Sequence, residues 1–503
     1  MQPFVFKMRN DSAPPALRER IGAWRTALAQ LFQFDSPWGY IYGTLLALLL
    51  GRMIAGQGIA AATLMLIGLA LVPGLLIALF HVRFGLVLLL SAACFLPWIK
   101  RMSGDFPVSI FIDGGILALL FGVFLRQVYV RDWRFVRNPV TPALLAWCVY
   151  CLLELLNPLA PSRVAWVYAV REYAGHGLVY FAAAYAVSQW KHLGRLTFWI
   201  LLLAGLGAVY GLLQEVYGLS RTEQEWLLAG PAHGGSLFAS GRKFSVFSHP
   251  SIFGAMMGAA WVLALALADV PGMRRRYRLM LAGLLVLLLP AMLISASRTG
   301  FLALGAGLGF LTLLGRWRPA LAGWAVTGLL AAGLLLYQGQ NERLLHLQEM
   351  FRPGEMASMV QQLENESYVR SYILRHPMGS GLGSTGAWGE RFSPESMLSQ
   401  FPASGGYLRV ALESGWVGLL LYCLLLLTAL VSGVRHYFRL EDARQRAWHA
   451  AYLSLLFALV VAHYTHPVLM ELPLSLIAAV SLGVLARIGS LEVQPAAPLN
   501  DRS

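Results

Sequence analysis

The chain opens polar, basic and proline-containing for 37 residues and then turns apolar. From there, apolar runs near the roughly 20 residues that cross a hydrocarbon core recur almost to the C-terminus. Ile59 to Ile77 and Leu279 to Ile294 are two of them. The pattern predicts hydrophobic helices at 39–51, 59–80, 84–98, 107–125, 140–156, 164–188, 196–216, 250–269, 279–295, 300–315, 320–337, 405–431, 448–465 and 473–488. The expected fold is all-α, a polytopic transmembrane helical bundle of about 14 spans with a large extracytoplasmic loop. An even span number puts both ends on one side. No apolar segment with a small-residue cleavage site opens the sequence, so the N-terminus is expected to stay on the chain.

Charge orients the spans. Lys and Arg gather in short connections: Arg126, Arg131, Arg134 and Arg137; Lys191 and Arg195; Arg274, Arg275, Arg276 and Arg278; Arg316 and Arg318; Arg435, Arg439, Arg444 and Arg446. With the spans above, all five clusters share the side of the basic N-terminus, the cytoplasmic side by the positive-inside rule. The expected organisation is a cytoplasmic N-terminal segment 1–38, membrane helices over 39–337 with an outer loop at 217–249, a large periplasmic loop 338–404, helices over 405–488 and a cytoplasmic tail 489–503. That places the protein in a bacterial cytoplasmic (inner) membrane as a multi-pass chain with both termini cytoplasmic. Composition agrees: 57% of residues are hydrophobic and 13% charged, against about 25% charged in ordinary soluble domains. The net charge of +14 follows from the topology clusters and implies no nucleic-acid partner. Cys94, Cys148, Cys151 and Cys423 all fall in apolar helices and read as small buried hydrophobes, with no second ligand pair for a metal.

Two outer connections, 217–249 and 338–404, are long for helix–helix turns, and function is expected there. The second mixes Gly, Pro, Ser, aromatics and charge, so it is expected to be ordered against the membrane helices. Arg298, in Ser295-Ala296-Ser297-Arg298-Thr299-Gly300, sits where one span ends and the next begins. By position alone it reads as a snorkelling anchor. It shares its side, however, with Arg242 and Lys243 in GRKFSVFSHP and with Arg370 and Arg375 in ENESYVRSYILRHP. Outward cations of this kind suit an anionic headgroup, because the guanidinium fork matches phosphate oxygens bidentately. For Arg370 and Arg375 the plainer reading is the solvated face of an amphipathic helix.

Four segments together resemble the O-antigen ligase and polysaccharide polymerase superfamily: RKFSVFSHP from Arg242 to Pro250, SASRTG from Ser295 to Gly300, HPMGSGLG from His376 to Gly383, and GYLRVALESGWVG from Gly406 to Gly418. The likeness covers roughly residues 240 to 420. It implies an enzyme that takes a glycan from a polyprenyl-diphosphate carrier and joins it to an acceptor sugar hydroxyl outside the cytoplasm, without cofactor or metal. Carried over by motif, Arg298, Arg242 and Arg370 are the expected catalytic cations, stabilising the leaving diphosphate. Lys243, His249, Arg375, His376 and Tyr407 are the expected substrate-binding residues. Implied partners are the lipid-linked glycan, membrane lipid, and chain-length and export proteins.

One position departs from that likeness. Ligases of the family carry a His followed by Asn, Ser or Gln just before the last motif, and Ser404-Gly405 stands there. The departure favours a polymerase of lipid-linked repeat units, with an O-antigen-type ligase, a lipid-linked sugar transporter and a non-catalytic scaffold as the alternatives. Replacement bases by side are Glu366, His249 and His376. His463 and His466 lie near the same face and read as structural, since two histidines without a further ligand make no metal site. Gly379-Ser380-Gly381-Leu382-Gly383 lacks a dinucleotide-binding spacing and is expected to be a flexible turn near the site. Asp113, Glu154, Arg171 and Glu172 fall in or near spans, where ionisable groups are expected to pair internally or to wall a polar cavity.

Overall fold

The chain divides into two compact units, Met1–Val72 and Pro73–Ser503. A computed structural model describes residues 44, 51, 52, 74–76, 78–103, 109–229, 242–336, 369–399, 401 and 405–491, and all but 44, 51 and 52 belong to the second unit. The segment 1–38, most of the expected spans 39–51 and 59–80, Glu366, Ser404 and the tail beyond 491 lie outside the described residues.

Among the described residues every regular element is helical. In chain order these are α1 Val82–Ser103, α2 Ser109–Val130, α3 Val140–Leu153, α4 Arg163–Val170, α5 Val179–Ala186, α6 Trp190–Tyr217, α7 Arg221–Ala229, α8 Pro250–Ala268, α9 Arg275–Ile294, α10 Arg298–Leu313, α11 Trp317–Leu336, α12 Gly386–Phe392, α13 Gly406–Arg439, α14 Ala443–Ala462 and α15 Leu474–Ile488. An all-helical chain suits an apolar solvent, because a helix satisfies its own backbone donors and acceptors. Six helices, α1, α2, α6, α8, α9 and α13, are long and apolar enough to cross a membrane. The span count expected from hydropathy is therefore larger than length and composition alone bear out among the described residues. The difference lies in helices such as α15, whose 15 residues extend about 22 Å at 1.5 Å per residue, short of a core about 30 Å thick.

Helix α8 forms the centre: Pro250 through Ala264 are buried with hardly a break, against α6, α9, α10 and α14. Its small residues let α10 approach closely. A Cβ on Gly258 would lie 2.5 Å from the Gly300 carbonyl oxygen, and one on Gly300 would lie 2.9 Å from the Gly254 carbonyl. This small-residue crossing holds the start of α10, with Ser297 and Arg298, against the start of α8, with His249.

The expected span 164–188 is not one regular helix. Between α4 and α5 the chain passes through a π turn, Arg171–Gly175, and a 3-10 turn, His176–Leu178. The wide turn shifts the side-chain register, as π-bulges do, and carries Glu172 and Tyr173 into the interior.

Helix α13 is likewise broken, at Gly415, whose φ of 68° and ψ of −175° lie outside the range of residues with a Cβ. The segment after His376 fills the break. Ser380 N donates to the Leu412 carbonyl (3.0 Å), Gly381 N to the Glu413 carbonyl (2.9 Å), and Val417 N to the Pro377 carbonyl (3.2 Å). The Gly379–Gly383 segment is therefore buried and clamped, not the flexible turn its composition suggests. The break frees backbone groups inside the bundle, and the segment is folded to satisfy them. A Cβ on Gly415 would lie 2.1 Å from the Pro377 oxygen. Gly415→Ala is expected to destabilise the protein by at least about 2 kcal/mol, as strain in a glycine-only region and a backbone clash combine. Thermal unfolding in detergent measures it, and an unchanged midpoint would contradict this account of the break.

The described part of the long loop packs on this region. Val369, Leu398 and Leu412 share one small apolar cluster, and Trp388 of α12 stacks on Tyr168 of α4 with ring centres 4.8 Å apart. Expected internal pairing holds for Arg171, 3.0 Å from Asp113, and for Glu172, 3.3 Å from Arg409. Glu154 forms no ion pair among the described residues; its Oε2 accepts from the Asn157 amide at 2.8 Å. A neutral amide donor three residues on takes the place of a cation.

Candidate functional site

The polar residues of the expected outer side meet where α9 ends and α8 and α10 begin. Arg242 Nε donates to the Ser295 carbonyl (3.3 Å), and Lys243 N donates to the Ile294 carbonyl (3.3 Å). These two bonds lay the chain before α8 across the end of α9, beside the first residue of α10. Burial pushes the Arg242 guanidinium below its ordinary value, and the neighbouring charge of Arg298 pushes the same way. Arg298 is exposed, and among the described residues neither arginine has a carboxylate partner. Two neighbouring guanidinium groups repel each other, and an anion between them removes that repulsion.

The other expected cations are placed differently. Lys243 is buried, with Nζ 3.9 Å from Glu215 Oε2, so an acid of α6 already answers its charge. This ion pair gives Lys243 a structural partner. Arg370 and Arg375 are exposed on the helical residues 369–375, and no described contact joins them to Arg298. His376 Nδ1 lies 2.8 Å from the Tyr372 carbonyl oxygen, and its ring stacks on Tyr372 at 4.1 Å. The Tyr407 hydroxyl donates to the Val460 carbonyl (2.9 Å), and its ring meets that of His463 edge to face with centres 4.9 Å apart.

A second cluster adjoins the arginines. His249 caps α8, its Nδ1 accepting from Ser251 N (3.1 Å), and its ring lies parallel to that of His466, 4.8 Å between centres. His466 Nε2 is 3.1 Å from Glu471 Oε1, and the Ser248 hydroxyl donates to Glu471 Oε2 (3.1 Å). The Thr465 hydroxyl donates to that of Thr299, at the start of α10 (3.0 Å). Burial alone would raise the Glu471 carboxyl, but the charge and hydrogen bond of His466, then His249 and Ser248, outweigh it and hold it at about 2. A carboxyl held below its unfolded value stabilises the fold at neutral pH, and that stability is lost as pH falls from about 4.5 towards about 2. Glu471→Gln is expected to flatten this part of the stability–pH curve, read from unfolding midpoints between pH 2 and 5.

Beneath these groups lies a buried network whose members Arg409, Glu413 and Gly383 fall within the resembling segments but were given no role there. Arg409 Nε is 3.1 Å from Glu413 Oε1, and one of its terminal nitrogens is 3.3 Å from Glu172 Oε2. Glu413 also accepts from Gly383 N (2.6 Å) and the Thr385 hydroxyl (2.5 Å), and Glu172 accepts from Trp388 Nε1 (2.8 Å). Glu172 and Glu471 lie within electrostatic reach of each other, as do Arg409 and His463. The π turn, the break in α13 and the cap of α8 thus surround one polar region.

At Gly405 a Cβ would lie 2.5 Å from the Tyr464 carbonyl oxygen, and at Gly406 one would lie 2.1 Å from the His463 ring. Glycine is what lets the start of α13 close on the histidine turn after α14. Sequence reasoning missed Glu471 as a functional candidate. The available signal was an acid within an apolar stretch five residues beyond His466, where ionisable groups are rare. Among the described residues no group of three His, Cys, Asp or Glu side chains is placed to hold a metal ion. No family model matches the chain, and no curated protein sequence matches it.

Proposed function

We propose that the protein is a membrane glycosyltransferase that polymerises polyprenyl-diphosphate-linked oligosaccharide repeat units at the outer face of the cytoplasmic membrane, for a surface or exopolysaccharide. The observation that carries the reading is the pairing of Arg242 with Arg298 at the start of α10, with no acid between them among the described residues. Two adjacent guanidinium forks match the two phosphates of a diphosphate, and the first backbone amides of α10 favour negative charge at the same place. The leaving diphosphate gains charge as its bond to the sugar breaks, so fixed cations there lower the barrier. In this reading the bundle has about fourteen spans, the apolar helix faces hold polyprenyl chains, and the loop 338–404 positions the acceptor glycan.

The test is turnover by purified protein of a polyprenyl-diphosphate oligosaccharide, following product length and released carrier. Longer glycans on the carrier support polymerisation. Transfer of whole chains to a separate acceptor identifies a ligase, and no bond formation overturns the reading in favour of transport or scaffolding.

A further inference from the structure

Glycan transfer to a hydroxyl needs a group that accepts the hydroxyl proton, close to the leaving diphosphate and open on one edge. Three histidines lie near Arg298, and their environments separate them. His463 is fully enclosed: its Nδ1 accepts from Leu469 N (3.2 Å) and its Nε2 is 3.3 Å from the Tyr422 hydroxyl. His249 spends Nδ1 on the cap of α8. His466 differs. Its Nε2 is buried 3.1 Å from Glu471 Oε1, at ion-pair distance but without hydrogen-bond alignment, whereas its Nδ1 has no hydrogen-bond partner among the described residues and, unlike Nε2, is not sealed off. Stacking on His249 fixes the plane of the ring, and the bond from Thr465 to Thr299 fixes its backbone beside the start of α10.

Resting on the glycan-transfer reading above, we infer that His466 is the general base for the acceptor hydroxyl, and that Glu471, anchored by Ser248, is its positioning residue. The Glu471 carboxylate 3.1 Å from Nε2 favours the proton on that nitrogen and so leaves the Nδ1 lone pair available, the arrangement by which a third group orients a catalytic base. The hydroxyl proton passes to His466 Nδ1 while the oxygen forms the new bond to the anomeric carbon. The old bond to the carrier breaks, and its electron pair leaves with the diphosphate against Arg298 and Arg242. The imidazolium then gives its proton to water. The charged and titratable groups around His466 come from several neighbouring elements: Glu471 on the same turn, His249 before α8, His463 after α14, and, through Glu471 and His463, Glu172 of the π turn and Arg409 of α13. Glu471 is the one that lies against the imidazole nitrogen, at 3.1 Å, so its removal acts first on His466.

The experiment is the pH profile of turnover with a polyprenyl-diphosphate oligosaccharide, beside a binding measurement with polyprenyl diphosphate alone, for full-length wild type, His466→Gln and Glu471→Gln. Wild type is expected to lose activity on the acid side as a single group takes up a proton. His466→Gln is expected to lose about 10²–10⁴-fold in turnover, to lose that acid limb, and to bind carrier within about threefold of wild type, a difference of under 1 kcal/mol. Glu471→Gln is expected to retain some activity with the limb moved to lower pH, since removing the anion makes the imidazole a weaker base. A purely structural role would lower the rate without moving the limb. Turnover by His466→Gln within tenfold of wild type on an unchanged limb overturns the inference, and so does an unmoved limb in Glu471→Gln. Absence of bond formation by wild type at every pH overturns the glycan-transfer reading instead.

Discussion

Purified Arg298→Ala protein is expected to elongate lipid-linked glycan at least about a hundredfold more slowly than wild type, the loss that accompanies removal of one preorganised donor from a developing oxyanion. The reason is the site's charge arrangement. Arg298 stands exposed at the start of α10, beside a half-buried Arg242 that is anchored only through the Ser295 carbonyl among the described residues. Without Arg298, one cation remains for a leaving group that develops charge on two phosphates. Arg298→Lys is expected to recover part of the rate, because an ammonium keeps the charge and loses the fork. If both arginines hold one diphosphate, the double variant Arg242→Ala with Arg298→Ala loses less than the two single losses multiplied together. Lys243→Ala, whose charge is already met by Glu215, is expected to act on stability far more than on product length. Product-length analysis with radiolabelled donor separates these outcomes. Arg298→Ala turnover within threefold of wild type would remove the arginine pair as the anion site.

The helical class was legible because apolar periodicity and basic clusters carry it without tertiary information. By side alone Arg242, Arg298 and Arg370 were legible as one set of cations; the small-residue crossing of α8 and α10 makes the first two neighbours, and no described contact joins Arg370 to them. What escaped the sequence depended on irregular backbone. Hydropathy cannot separate a straight span from one that turns through a π turn at Arg171 or breaks at Gly415, because both leave the apolar count unchanged. Each irregularity buries an acid, Glu172 in one case and Glu413 in the other, that a regular helix would aim elsewhere. The base candidates suffered similarly. Position by motif directed attention to Ser404-Gly405 and to Glu366, whereas the histidine that touches a carboxylate lies some sixty residues downstream. The turn after α14 and the start of α13 meet only through the glycines at 405 and 406.

The buried network carries the largest expected effect on stability. Arg409→Met is expected to cost about 3–5 kcal/mol, the scale for removing one partner of a buried ion pair. Its guanidinium lies between Glu413, whose side chain is fully enclosed, and Glu172, itself held by Trp388. Without the cation, two carboxylates share a region of low dielectric, and each faces protonation or water entry. Glu413 also bonds Gly383 N and Thr385, so its loss of partner loosens the segment that plugs the break in α13. The double variant Arg409→Met with Glu413→Gln removes the enclosed charge together with its partner and is expected to regain part of the loss. Unfolding midpoints in detergent for the two single variants and the double variant measure the coupling. If Arg409→Met unfolds within about 1 kcal/mol of wild type, the range of an exposed pair, water already reaches these carboxylates, and the network is a wall of the cavity and not a prop of α13.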